Sequence, residues 1–406
     1  MNENLKGIIG KYTSFSDESY RLIRLQFIYG LSSGIFGFLF IFYLSFFGYS
    51  PLEYGLLISV QGIAYIVSIV PSGVYASRIG AKRMIILGII VDMLAYPMLS
   101  FVSYFYILVL ASALIGLSSS FVNSSFSSLI SKSADESIRK YVFSLSSFFG
   151  LIGNTIGNLM GGILPEIGVV AGSKTLGYRM LPFLLLFLIL LALFISIRIK
   201  LDIKLRKKEQ RPKLDSKTSK LILKLIIPAS LIGFGAGFLI PYFQLQFKYR
   251  FNINVESISF IFALTNLVMA FVILFVPFIA ERRGSVFTIV TFQSLATLTL
   301  LIMPFIGGLR GIGLSLFTSL YIFRTLMMNV SNPVQTSFEL SLIPEEHRPF
   351  MSSLVSFSWT GLNSVSTLVG GYLIMISLNI PFYITASFYF TSSVLYIAFF
   401  GKMKMR

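Results

Sequence analysis

Cysteine is absent from this 406-residue chain, and histidine and tryptophan occur once each. Without thiols there is no disulfide, thiolate zinc site, iron–sulfur cluster or cysteine nucleophile. A single imidazole, His347, cannot build a multi-histidine metal centre, and its setting in the charged run IPEEHRPF reads as a solvated loop. Charge is scarce as well. Asp, Glu, Lys and Arg together make up 12% of the residues, where a soluble domain has about a quarter. No cluster of acids, histidines or cysteines is available for enzyme chemistry, so no catalytic set, cofactor or metal is expected. One segment, GIIGKYT at residues 7–13, looks superficially like a phosphate-binding loop. It has two residues between its glycines and a tyrosine after its lysine, whereas that loop needs four residues and a Ser or Thr.

What the chain has instead is apolar sequence in long blocks. Hydrophobic residues are 55% of the total and the mean hydropathy is +0.83. A helix crossing a bilayer needs about 20 such residues. On that scale candidate spans fall near 22–47, 52–76, 84–103, 106–131, 140–164 and 177–199, then 221–247, 255–279, 285–307, 311–338, 350–375 and 379–400. None alternates with period two, which argues against a transmembrane barrel. The first run is too long for the core of a secretory signal and reads as a retained span. The expected fold is an all-α membrane protein of twelve transmembrane helices.

The formal net charge of +17 invites a nucleic-acid reading, and the distribution of the charge argues against it. With the N-terminus placed in the cytoplasm, the interhelical segments alternate between basic and nearly charge-free. Of the 33 Lys and Arg residues, only Lys174, Arg179, Lys248, Arg250 and Arg310 fall on the far side, and only Arg324 falls inside a span. That bias predicts a multi-pass protein of the cell membrane with both termini cytoplasmic. The hydrophilic stretch RIKLDIKLRKKEQRPKLDSKTSK, residues 198–220, divides the spans six and six and reads as a linker held near anionic headgroups.

The two halves repeat. ASRIG at 76–80 and AERRG at 280–284 are 204 residues apart, each between the second and third spans of its half. The segments starting at Arg139 and Arg348 match without gaps at an offset of 209, with ten of 26 positions identical, among them Asn154/Asn363, Gly161/Gly370 and Gly162/Gly371. Asn123/Asn332 falls at the same offset. The expected organisation is a six-helix bundle over 1–199, a cytoplasmic linker over 200–220 and a second bundle over 221–406, acting as a monomer. Parallel repeats of this kind are a transporter architecture with the substrate site near the bilayer midplane.

With these motifs in place, the chain resembles the major facilitator superfamily over nearly its whole length. Gly73-Val-Tyr-Ala-Ser77-Arg78-Ile-Gly80-Ala-Lys82-Arg83 is similar to the family's loop between helices two and three, G-x-L-a-D-r-x-G-r-k-r. Ser77 stands where the family has Asp. The second copy keeps an acid, Glu281, beside Arg282, Arg283 and Gly284. The resemblance implies that both loops act as cytoplasmic gates; positive-inside anchoring is the alternative. Gly153-Asn-Thr-Ile-Gly157-Asn158-Leu-Met-Gly161-Gly162 resembles the family's helix-five antiporter motif, with Asn158 in place of its proline. Small residues at this spacing also let helices approach closely in lipid, and Gly30/Gly34 and Gly233/Gly237 repeat the pattern.

A charge at mid-bilayer costs roughly 2.5–3.5 kcal/mol on insertion scales, so each one needs a reason. Asp92, in GIIVDMLAYP, reads as the only acid well inside a span. A carboxyl that can be neutral when buried and charged when wetted is what proton coupling requires. The alternative is a structural hydrogen bond to Gln61, since the family places its third helix at the bundle periphery. Arg324 lies mid-way along helix ten, which the family places beside the cavity, and could meet an anionic substrate group or backbone carbonyls. The repeated amides Asn123, Asn154, Asn332 and Asn363, with Asn158 one turn from Asn154, could line a wet path or join helices. Tyr29, Tyr65, Tyr242 and Phe243 lie on helices that would line the cavity. Glu53, in SPLE, reads as part of a capping box, with Glu256 in the equivalent place.

The expected function is secondary active transport of a small, amphipathic or drug-like molecule by alternating access, as proton-coupled export. Two alternatives stay open: uptake of an organic acid or other small solute with protons, and a non-transporting receptor or scaffold on the same fold. The expected partners are the small-molecule substrate, the coupling proton and membrane lipids, with no nucleic acid.

Overall fold

The computed structural model describes residues 15–201, 215–272, 284–307, 309, 311–344 and 347–401. Among them there are twelve membrane-length helices and no strand. The first six are α1 (Asp17–Phe46), α2 (Pro51–Ile79), α3 (Ala81–Met98), α4 (Phe105–Ser133), α5 (Glu136–Val170) and α6 (Lys174–Ile197). The seventh comes in two pieces, α7a (Ser216–Leu239) and α7b (Phe243–Phe251). A single 3-10 turn, Ile240–Tyr242, joins them at Pro241, whose ring leaves no N–H to continue the α-helical ladder. Then follow α8 (Val255–Val272), α9 (Ser285–Ile306), α10 (Gly313–Leu342), α11 (Arg348–Ile376) and α12 (Ile380–Phe400).

Local chemistry sets the helix ends. Ser16 caps α1 by accepting from the Ser19 N–H, with Asp17 and Glu18 in the first turn. Those acids complement the positive end of the helix dipole. Glu53 forms the expected capping box at α2: its Oε2 accepts from the Ser50 N–H at 2.7 Å and from the Ser50 hydroxyl at 2.8 Å. Asp215 caps α7a through the Thr218 N–H. Gly80 and Gly284, the glycines shared by ASRIG and AERRG, stand just before α3 and α9 with φ of 103° and 83°. With ψ near 145° at both, that is a region essentially reserved for glycine.

Nine helices of the described residues are long and apolar enough by themselves to cross a membrane. Polar side chains interrupt others, Asp92 in α3 and Arg324 and Glu339 in α10. Exposed Val67, Leu94, Phe183, Phe187, Phe260 and Phe305 leave apolar surface outside, as a lipid-facing protein requires.

Glycine decides which helices meet most closely. A Cβ on Gly30 or Gly34 would overlap the carbonyl oxygens of Gly150 and Asn154, and one on Gly153 or Gly157 those of Phe27 and Leu31. The α1–α5 packing is the most extensive among the described helices. Gly237 and Gly370 bring α7a and α11 together in the same way. The repeat extends to the other pairs: α3 packs on α4 as α9 does on α10, and α6 lies against α1 and α3 as α12 lies against α7a and α9.

The described chain divides into two compact units. The first combines the residues up to Gly48, the stretch from Val60 through α6, and Val255–Leu267. The second combines Tyr49–Ser59, α7a and α7b, and the chain from Val268 onwards. Val255–Leu267 joins the first unit because Gly162 leaves room for Ser259 and because Asn266 Nδ2 donates to Asn154 Oδ1 at 2.8 Å. Tyr49–Ser59 joins the second because Gly371 admits the backbone of Pro51, while Tyr54 packs edge-on to Tyr242.

Candidate functional site

In the first unit, Asp92 is 3% exposed. The hydroxyl that faces its carboxyl is that of Ser118 on α4, which corrects the expectation of Gln61. Gly116 presses α4 onto the backbone of Gln61, so this part of α2 meets α4 through main chain. Ser118 donates its own proton to the Gly88 carbonyl at 2.8 Å. Tyr29 and Tyr96 lie close enough to Asp92 to be coupled to it electrostatically. The Tyr29 hydroxyl is enclosed without a hydrogen-bond partner among the described residues, and Ser32 lies within reach of Tyr96. No cation pairs with Asp92 there.

The repeated asparagines separate by position. Asn123 and Asn332 are both exposed, and Asn123 is within hydrogen-bond reach of Tyr65. Asn154 bonds Asn266, whereas its counterpart Asn363 donates to the Gly233 carbonyl at 3.2 Å. Asn158 is buried. Tyr242 is fully enclosed and donates to the Thr367 carbonyl at 2.6 Å. Phe243 is likewise packed inside.

In the second unit, Arg324 is 4% exposed and has no acid partner among the described residues. Its Nη2 donates to the Tyr389 hydroxyl at 2.7 Å, its Nε is enclosed without a partner, and its guanidinium carbon lies 5.8 Å from the Phe243 ring centroid and 5.6 Å from that of Tyr389. Aromatic faces offset part of the cost of burying a cation.

Of the loop residues, Lys82 donates from Nζ to the Ile197 carbonyl at 2.9 Å, capping the C-terminus of α6 within its own unit. Arg78 is exposed in the last turn of α2, where it complements the helix dipole. Gly73 lies inside α2, and Arg83 is exposed. Glu281, Arg282 and Arg283 lie outside the described residues, as does the Ser77 side chain.

The family model described as Major Facilitator Superfamily matches residues 22–367. The chain belongs to the Major Facilitator Superfamily. A curated relative, the uncharacterized MFS-type transporter YxaM of Bacillus subtilis (strain 168), is 36% identical over 107 residues, 26% of this chain and 27% of the relative. The match thus spans about a quarter of that relative's length. Among solved structures, a bacterial homologue of the iron transporter ferroportin, in an inward-facing state, aligns over 94% of this chain and 98% of its own. The TM-score is 0.77 at 14% identity. The nucleoside transporter NupG aligns over 95% and 100% with a TM-score of 0.74, also at 14% identity. At that identity the likeness carries the fold alone.

As a superfamily member with apolar membrane-length helices the chain is a multi-pass integral membrane protein. Two readings of the sequence change within this fold. Asp92 is not the only acid buried in a membrane helix: Glu339, one residue past the expected edge of its span, is 5% exposed in the last turn of α10. The polar run Asn329–Glu339 lowers the hydropathy, which cut the expected span short while the helix continues to Leu342. His347, expected in a solvated loop, is also 5% exposed. The flanking Ile343 and Met351 both belong to an apolar cluster, which draws the turn inward.

Proposed function

We propose that this superfamily member is a proton-coupled exporter of a small amphipathic molecule, working by alternating access as a monomer with both termini in the cytoplasm. The observation that carries the reading is Asp92: a carboxyl enclosed in the first unit beside Tyr29, Tyr96 and Ser118, with no cation paired to it among the described residues. An acid in that setting suits a cycle of proton uptake and release. One charge moving through 100 mV releases about 2.3 kcal/mol, enough for roughly fiftyfold accumulation. The exposed Asn123 and Asn332 suit a wet path without a fixed charge, and the paired loops at 73–83 and 280–284 suit a cytoplasmic gate.

The test is proton movement in proteoliposomes under an imposed pH gradient, with a panel of lipophilic cations, neutral drugs and organic acids. A compound that releases protons through wild type but not through Asp92→Asn supports the reading. Equal proton flux in both removes Asp92 as carrier. A second reading, proton-linked uptake of an organic acid, is favoured by Arg324, which has no acid partner among the described residues. It predicts that only anionic members of the panel move protons, and that Arg324→Gln abolishes the response.

A further inference from the structure

The second unit holds a buried acid that the reading above does not use. Glu339 Oε1 accepts from Gln335 Nε2 at 2.8 Å and from the Tyr396 hydroxyl at 3.2 Å. Gln335 Oε1 accepts in turn from Gln293 Nε2 on α9 at 3.4 Å, and Gln293 Oε1 from the Ser393 hydroxyl on α12 at 3.5 Å. Ser393 also donates to the main-chain carbonyl of Tyr389, at 3.1 Å, where the side-chain track ends. A polar track therefore crosses α9, α10 and α12, and both glutamines present their amide N–H groups towards the Glu339 end.

Among the described residues the surroundings of this acid are largely apolar. Tyr396 belongs to an apolar cluster with Ile222 and Leu225 of α7a, Ile289 of α9, Met351 of α11 and Phe400 of α12. Among the described residues no cation reaches the carboxyl. Lys224 of α7a sits over the Phe399 ring at 5.9 Å, α9 brings the Gln293 amide, and α12 brings the Tyr396 phenol. The Arg348 side chain of α11 lies outside the described residues. His347, in the turn between α10 and α11, is a further titratable group buried at this end.

We propose that Glu339 is a proton-binding site of the second unit, and that Gln335 and Gln293 carry its protonation state across α9 towards Ser393 on α12. A carboxylate only accepts hydrogen bonds, whereas a neutral carboxyl also donates. When a proton adds to Glu339, the new O–H needs an acceptor. Gln335 supplies one by turning its amide oxygen to the acid, its N–H group then faces Gln293, and Gln293 turns in the same sense. Release of the proton restores the first arrangement. No other bond forms or breaks. The site is separate from Asp92 and does not depend on it.

Infrared difference spectra of the full chain in lipid nanodiscs, stepped in pH, read the C=O stretch of each neutral carboxyl and need neither substrate nor flux. Failure of the coupling reading would therefore leave this result interpretable. Glu339→Gln is expected to remove one titrating carboxyl band, different from the one removed by Asp92→Asn. Gln335→Met is expected to keep the Glu339 band and displace its midpoint by at least about half a pH unit, since one hydrogen bond to the carboxylate is lost. His347→Gln is expected to leave the band in place. Spectra of Glu339→Gln that superimpose on wild type at every pH would overturn the site, and an unmoved midpoint in Gln335→Met would overturn the relay. If Glu339→Gln does not fold, Glu339→Asp serves in its place: it keeps a carboxyl, a displaced band supports the site, and an unchanged one overturns it.

Discussion

Gly73 and Gly284 both stand in the paired loop signatures, yet only one is required by its own backbone. Gly284 has φ of 83° and nothing within 4 Å of where a Cβ would sit. Gly73 lies inside α2, also with open space around it. Gly284→Ala is expected to lower stability by about 1–3 kcal/mol through backbone strain alone. Gly73→Ala is expected to raise it by up to about 1 kcal/mol through helix propensity. Thermal unfolding in one detergent compares the two, and equal shifts would remove backbone conformation as the cause. The glycine of ASRIG was legible as a turn from its place between two apolar runs. The enclosure of Glu339 was not, because its partners Tyr396 and Gln293 come from α12 and α9, and nothing in the sequence around residue 339 names them.

At the scale of the helix, close approach is set by which glycines face a neighbour. Gly34 and Gly37 are one turn apart in α1. A Cβ on Gly34 would meet the Asn154 backbone, whereas one on Gly37 would meet nothing within 4 Å. Gly34→Val is therefore expected to cost about 3 kcal/mol or more, since a carbonyl cannot rotate away as a side chain can, while Gly37→Val is expected to cost little. Melting temperatures of the two variants check this, and equal losses would show that α1 does not pack on α5 through Gly34. The antiporter-like glycines of α5 were readable as a packing face from their spacing. That Gly162 would admit Ser259, and Gly371 the backbone of Pro51, was not readable, because those contacts join segments distant in the chain.

At the scale of the molecule, the distribution of Lys and Arg predicts the orientation, and the absence of cysteine makes the prediction simple to check. Ala171 and Lys200 are both exposed, at opposite ends of α6. In intact cells a membrane-impermeant maleimide is expected to label Ala171→Cys and to leave Lys200→Cys unlabelled until the membrane is opened. The reverse pattern would turn the whole topology over.

The sequence by itself determined that this is a membrane protein of twelve helices in two related halves. Those properties are written along one dimension, as apolar runs of bilayer length and as a constant offset between matching residues. Only the tertiary structure decided which polar residues are enclosed and what they meet. It set Asp92 against Ser118 rather than Gln61, gave the repeat-related Asn154 and Asn363 different partners, and enclosed His347 and Glu339. The reason is physical: the rotation of a helix about its axis is set by close packing against its neighbours, and a shift of one residue in that rotation turns a side chain by about 100°.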